Sequence, residues 1–121
     1  MFLRLTFNAC GTSFNAQESI DQLNVNKKSI IYDKEFPTSL SIKHPREFSS
    51  EYYDEEYERF FLDFIKNNID ILVSYGANDF DLFIEAYYND QCNFEILSPQ
   101  FLYYLNKYQI RLPISVYYNP I

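Results

Sequence analysis

The chain has 121 residues, the usual size of one domain, and its 47% hydrophobic and 22% charged residues give a globular balance that excludes disorder. Its 17 acidic residues outnumber its 10 basic residues, for a formal net charge of −7. This charge repels nucleic-acid phosphates and anionic lipids and favours a basic protein partner, although an alternative is that it only keeps a small domain soluble.

The first part of the chain predicts three strands and a short helix. Residues 2–7 alternate between apolar and polar side chains, which indicates a strand. Asn15, followed three residues later by Glu18, resembles a capping box and predicts a short helix. The segments 29–33 and 38–43 are rich in β-forming residues and predict two further strands, in a hairpin.

The longest predicted helix covers residues 51–75, where apolar side chains recur at steps of three and four. Ser49 or Ser50 is its predicted N-terminal cap, and Gly76 is its predicted end. The apolar stripe predicts that one face of this helix packs against a sheet.

The last third predicts a hairpin, a helix and a closing strand. Residues 80–96 form two alternating runs around a polar turn, which is typical of a β-hairpin. Ser98 followed by Pro99 is a strong helix start. Residues 110–118 alternate again, and Pro113 within them predicts an edge strand or a bulge.

These elements predict an α+β fold in one domain, residues 1–121. Their order is β-α-β-β-α-β-β-α-β. A mostly antiparallel sheet with the helices packed on one face accommodates this order, because each helix has one apolar stripe to bury.

Residues suited to catalysis are few. The chain has one histidine, His44, which precedes a proline in a predicted loop and is expected to be solvated instead of catalytic. Cys10 and Cys92 are predicted to be reduced, with Cys92 an inert core thiol on the apolar face of its strand. We therefore predict a cytoplasmic protein that is not an enzyme.

Cofactor and metal sites are not predicted either. Two glycines are too few for a phosphate-cradling loop, and one histidine with two distant cysteines gives no zinc site. The acidic run 51–58 lacks the spacing and the central glycine of a calcium loop. No apolar stretch is long enough to span a bilayer.

The acidic segment at the start of the long predicted helix is the candidate partner-binding site. It places five carboxylates and three tyrosines within eight residues, a mixture suited to electrostatic steering and aromatic anchoring. The alternative is an ordinary solvated helix start, where negative charge complements the helix dipole. The predicted contact residues are Glu51, Tyr52, Tyr53, Asp54, Glu55, Glu56 and Glu58.

The C-terminal half, FDLFIEAYYNDQCNFEILSPQFLYYLNKYQIRLPISVYY, resembles a bacterial family of small α+β domains of unknown function. The shared pattern is a hairpin, then a strand that ends in an L-S-P-like cap, a helix and a closing strand. The start, FLRLTF and then QLNV, is also similar to that family. The resemblance implies the fold and no catalytic residue, and residues 26–48 depart from the family's usual basic, Trp-containing segment.

In size and acidity the chain also resembles the immunity proteins of contact-dependent inhibition and other polymorphic toxin systems. This resemblance implies an immunity-type protein that neutralises a cognate bacterial toxin, expected to be a basic nuclease, by covering its active site. The alternative is a small-ligand-binding or regulatory domain with a pocket between the sheet and the long helix.

Overall fold

The computed structural model describes residues 1–50, 54–90, 92 and 96–119. The strands are β1 (Phe2–Cys10), β2 (Ile30–Ile31), β3 (Ser39–Lys43), β4 (Asp79–Tyr88) and β5 (Ile114–Tyr118). The helices are α1 (Ala16–Ile20), α2 (Glu55–Ser74) and α3 (Pro99–Lys107), and one 3₁₀ turn spans Lys27–Ser29.

The described strands form one sheet in the order β2-β3-β1-β4-β5, with β1 at its centre. Three of the four pairings are antiparallel, and β4 with β5 is the parallel one. The predicted α+β class with a mostly antiparallel sheet is therefore confirmed.

One face of the sheet and the apolar stripes of the helices enclose a single hydrophobic core. Alternate residues of β1 and β4 enter it, as the period of a strand requires. Phe61 and Phe64 of α2 are 0% and 3% exposed, so the predicted inward stripe is confirmed. No described helix is both long and apolar enough to cross a membrane.

Local signals position most helix ends as predicted. The Asn15 side chain accepts a hydrogen bond from the Glu18 N–H at the start of α1, and the Ser98 hydroxyl accepts one from the Phe101 N–H at the start of α3. Gly76 follows the end of α2 with a φ of 104°, a left-handed conformation that glycine adopts without strain.

The predicted cap of α2 is wrong. Neither Ser49 nor Ser50 begins the helix, because the Asp54 carboxylate accepts the Tyr57 N–H at 3.1 Å and takes the cap position. The Ser50 N–H donates to the same carboxylate at 2.9 Å, so this serine supports the cap from outside the helix.

The second strand of the predicted 80–96 hairpin is not observed at the residues of it that the structure describes. Cys92 and Ile96 belong to no strand, and residues 93–95 lie outside the described residues. The prediction of Cys92 as a core thiol is wrong, because Cys92 is exposed. The described element order therefore has one strand fewer than predicted, and β4 pairs on its outer side with β5.

Candidate functional site

The predicted acidic segment divides into carboxylates that support the fold and carboxylates that face solvent. Asp54 and Glu58 support the fold. Burial by itself would raise the pKa of Asp54, but the N–H groups of Ser50 and Tyr57 and the Arg46 guanidinium outweigh it and lower that pKa to about 2. A carboxylate bound this tightly is a helix cap more than a free contact group.

Glu58 is a buried carboxylate at the junction of α2 and α3. It is 5% exposed, and its Oε1 accepts the Leu97 N–H at 2.7 Å. Burial raises the pKa of Glu58 to about 7, although the Leu97 N–H acts in the opposite direction. Leu97 has a φ of 72°, which is uncommon for a residue other than glycine, so this hydrogen bond holds an unusual turn immediately before α3.

Among the described residues of the segment, Glu55 and Glu56 are the solvent-facing carboxylates. Glu55 pairs with Arg59 one turn later in α2, and Glu56 pairs with Arg46 at 2.7 Å. The Arg46 guanidinium lowers the pKa of the Glu56 carboxyl. Of the remaining predicted contacts, Glu51, Tyr52 and Tyr53 lie outside the described residues.

His44 lies beside this segment and is buried, contrary to the predicted solvated loop histidine. Its ring stacks on Tyr57 with centroids 4.5 Å apart and meets Phe60 edge-on at 4.9 Å. The Arg46 N–H donates to Nδ1 at 2.9 Å, so Nε2 carries the hydrogen that points at Glu56 Oε1, 3.3 Å away. His44 thereby fixes the loop that precedes α2.

Tyr57 ties the same loop to the sheet. Its hydroxyl accepts the Leu5 N–H at 3.2 Å and donates to the Glu47 carbonyl at 3.0 Å. The ring is 1% exposed, and burial raises the pKa of its hydroxyl. These contacts give the loop and the start of α2 a fixed position relative to β1.

The face of the sheet opposite the helices carries a second charged cluster, which begins at Arg4 of β1. The Arg4 guanidinium binds Glu85 of β4 through two hydrogen bonds, of 2.9 and 3.1 Å, and Glu47 through one of 2.8 Å. It also lies 5.4 Å from the centre of the Phe48 ring and 5.7 Å from that of Tyr87. The hydrogen bond from Arg4 lowers the pKa of the Glu85 carboxyl.

The two clusters join through consecutive residues of one loop. Arg46 binds the start of α2, Glu47 binds Arg4, and Phe48 meets Tyr87 edge-on at 5.5 Å. The result is one surface that runs from α2 across the loop to the open face of the sheet. We call it the 44–48 surface, and it comprises Arg4, Arg46, Glu47, Phe48, Glu56, Glu85 and Tyr87.

A further polar chain occupies the opposite end of the open face. The Ser41 hydroxyl donates to Asn8, whose amide donates to Asp81 at 2.8 Å. Arg111 binds Asp79 at 2.8 Å and lies 3.7 Å from Asp81. Arg111 thus offsets one of the two carboxylate charges.

A cavity of about 240 Å³ lies where the first turns of α2 meet the start of α3. Glu58, Leu62 and Phe101 line it, with Glu55 and Arg59. The alternative function places a pocket between the sheet and α2, a region where the rings of Phe7, Phe64 and Phe80 pack together instead.

The cysteines are both free thiols. Burial raises the pKa of the Cys10 thiol, and the neighbouring Asp79 carboxylate raises it further, so little of the reactive thiolate is present at neutral pH. Within the described residues, no group of three or more histidine, cysteine or acidic side chains is placed to hold a metal ion.

Sequence reasoning missed most of the 44–48 surface. Arg4 and Glu85 stand opposite each other in the β1–β4 register, and their alternation with apolar neighbours places both on the outer face, but 81 positions separate them. Comparison with known proteins gives no further guide, since no family model, curated protein or solved structure matches the chain.

Proposed function

We propose that the protein is an immunity-type binding protein that neutralises a cognate bacterial toxin, a basic nuclease, by covering the toxin's active site. The observation that carries the proposal is the 44–48 surface, which combines carboxylates, arginines and aromatic rings from the start of α2 to the face of the sheet that no described helix covers. Tyrosine and arginine are enriched among residues that dominate protein–protein binding energy.

The rigidity of this surface supports the proposal. Arg4 is held by two carboxylates, and His44 and Tyr57 pin the loop from beneath. A surface whose side chains are ordered before binding loses less conformational entropy on association. The 44–48 surface is therefore suited to tight protein binding.

The charge of the chain supports a basic partner. A net charge of −7 attracts a basic protein over distances of about 10 Å at moderate salt and raises the association rate. Glu55 and Glu56 project from the start of α2 with side-chain exposures of 66% and 71%. Their arginine partners are themselves exposed, so cations of a bound protein can compete for the carboxylates.

The predicted contact segment 51–58 retains a narrower role in this proposal. Glu55 and Glu56 contact the partner directly, whereas Asp54 and Glu58 hold the helix start in position. Glu51, Tyr52 and Tyr53 remain predicted contacts, with the tyrosines as anchors.

The alternative of a small-ligand-binding or regulatory domain has less support. The cavity between α2 and α3, at about 240 Å³, is smaller than the roughly 300–1,000 Å³ of typical ligand pockets. Its most buried polar group, Glu58, already binds the Leu97 N–H.

The test uses the product of the neighbouring gene as the candidate toxin. We expect co-expression of this protein to restore growth of cells that produce the toxin, and the two proteins to co-purify. Surface plasmon resonance then compares Glu56→Lys with Asp70→Lys, a nearly identical charge reversal at an exposed position further along α2. Glu56→Lys should weaken binding and slow association by a larger factor than Asp70→Lys.

Two outcomes would contradict the proposal. If growth is not restored although both proteins are folded and abundant, the immunity function is wrong. If Glu56→Lys and Asp70→Lys change the association rate equally, only the total charge matters and the 44–48 surface is not the contact.

A further inference from the structure

The two edges of the sheet differ in how they are protected. β2, at one edge, is only two residues long, and the exposed charges of Lys27, Lys28, Asp33 and Lys34 surround it. Short strands and nearby charges are the usual means of preventing an edge from pairing with another strand. β5, at the other edge, is five residues long, and its one flanking charge, Arg111, is bound by Asp79.

Among the described residues, no strand pairs with the outer side of β5. In a parallel ladder, alternate residues direct both their N–H and C=O to the same neighbour. Arg111, Pro113 and Asn119 form the β4-directed hydrogen bonds. Ile114, Val116 and Tyr118 therefore direct both groups away from β4.

The same three residues expose apolar side chains. Their register partners on β4 place them on the helix side of the sheet, yet Ile114, Val116 and Tyr118 are 54%, 48% and 61% exposed. Residues 112–118 contain no charged side chain. β5 is thus an apolar strand whose outer hydrogen-bonding groups meet no partner within the described part of the chain, which is a template for another strand.

The charge around β5 indicates which strand it accepts. The carboxylates of the neighbouring β4, Asp79, Asp81 and Glu85, are each bound by Arg111 or Arg4. Residues 112–118 carry no charge, and two arginines bind the three β4 carboxylates, so the edge holds little of the chain's −7 and offers a basic partner no unbound carboxylate. An uncharged, apolar strand fits it, and a second copy of β5 has that composition.

We propose that β5 pairs with β5 of a second copy, antiparallel about Val116, to form a homodimer with one continuous sheet. In that register Val116 faces its own counterpart, and Ile114 faces Tyr118 of the other copy. All three opposing pairs have their outer N–H and C=O groups directed at each other, as antiparallel hydrogen-bonded pairs require. Cross-strand pairs of β-branched and aromatic side chains add stability.

This dimer is separate from the proposed toxin binding, because Ile114, Val116 and Tyr118 lie on the helix side of the sheet. Tyr117, which stacks on Tyr87 of the 44–48 surface at 5.0 Å, lies on the open face. A strand of five residues buries less than the roughly 800 Å² per partner of a standard interface, so the expected dissociation constant is about 10–100 μM. Since both copies carry −7, added salt screens their repulsion and should tighten the dimer. Binding to a basic partner has the opposite salt dependence.

Analytical ultracentrifugation of the whole chain from about 1 to 500 μM tests the dimer. Val116→Pro removes an outward N–H without removing a β4 hydrogen bond, and an edge strand tolerates proline at such a position. It should weaken the dimer at least about tenfold through the lost hydrogen bonds. Val116→Lys should do the same, whereas Val73→Lys changes a valine of similar exposure, 53%, on α2 and should leave the dimer intact.

The register has its own test. In a chain with Cys10 and Cys92 replaced by serine, Val116→Cys should form an intermolecular disulfide under mild oxidation, because opposed Cα atoms about 5.5 Å apart suit one. Val73→Cys should not. Circular dichroism confirms that each variant is folded. A chain that stays monomeric throughout, or a dimer that folded Val116→Pro and Val116→Lys leave unchanged, overturns the proposal.

Discussion

The two faces of the sheet come from the same strands but are stabilised in different ways. On the covered face, Leu5 and Leu82 are fully buried and contribute through the apolar area removed from water. On the open face, Arg4 and Glu85 remain partly exposed and bind each other across the strands. The covered face contributes the buried apolar area of the core, while the open face keeps charged side chains partly exposed and paired with one another.

This difference predicts that equal truncations on the two faces have unequal effects. Phe61→Ala removes a ring with 0% exposure from the covered side and should lower the free energy of unfolding by about 3–5 kcal/mol. Phe83→Ala removes a partly exposed ring from the open face of β4 and should cost much less, about 1 kcal/mol. Urea denaturation measures both, and equal losses would show that the open face is also part of the core.

Glu58 is an exception on the covered side, because it is a buried carboxylate among apolar residues. Its pKa is about 7 when folded, against 4.5 as the ordinary value. The folded state therefore binds the proton more tightly, and its stability should fall as the pH rises from 4.5 to 7, by up to about 3 kcal/mol.

Glu58→Gln keeps an oxygen for the Leu97 N–H and removes the titration. The variant should match the natural protein below pH 4.5 and exceed its stability above pH 7. Urea denaturation from pH 4 to 8 measures the difference, with the exposed Glu55→Gln as the control. A difference between natural protein and variant that does not change with pH would refute the effect.

Asp54, which caps α2, has a pKa that folding shifts in the opposite direction from that of Glu58. Its pKa falls from 3.8 to about 2 on folding, so its charge stabilises the protein above pH 3.8, and this contribution is lost as the pH falls to 2. Asparagine caps a helix as well as aspartate, so Asp54→Asn isolates the charge and should cost about 2 kcal/mol at pH 7. Thermal denaturation at pH 2 and 7 tests this, with Asp70→Asn as the control. Equal losses at both pH values would assign the effect to cap geometry.

Local sequence patterns predicted where the helices and strands lie better than they predicted which of them pair or pack together. Alternation located β1 and β4, and the steps of three and four located the buried stripe of α2. Asn15 and Ser98 marked helix starts, because a capping hydrogen bond spans only three residues.

Features that depend on distant residues were not predictable in this way. The Asp54 cap itself spans three residues, but its ion pair with Arg46 comes from the preceding loop, which a local capping pattern does not reveal. His44 is buried because Tyr57 and Phe60 of α2 pack on it. β5 pairs with β4 in parallel only because α3 carries the chain back.

The smallest predicted effect concerns the open face itself. Arg4 binds Glu85 through two hydrogen bonds in a partly exposed position, and such pairs contribute about 1 kcal/mol or less. A double-mutant cycle with Arg4→Met and Glu85→Gln should give a coupling energy of that size in 50 mM NaCl. It should fall markedly in 1 M NaCl, where the screening length is about 3 Å. A second cycle at Phe7 and Phe64, whose rings lie 5.5 Å apart in the core, should give a coupling energy that salt does not reduce. If salt changes the two coupling energies alike, the Arg4–Glu85 pair does not stabilise the open face through its charges. The proposed difference between the open and covered faces would then be wrong.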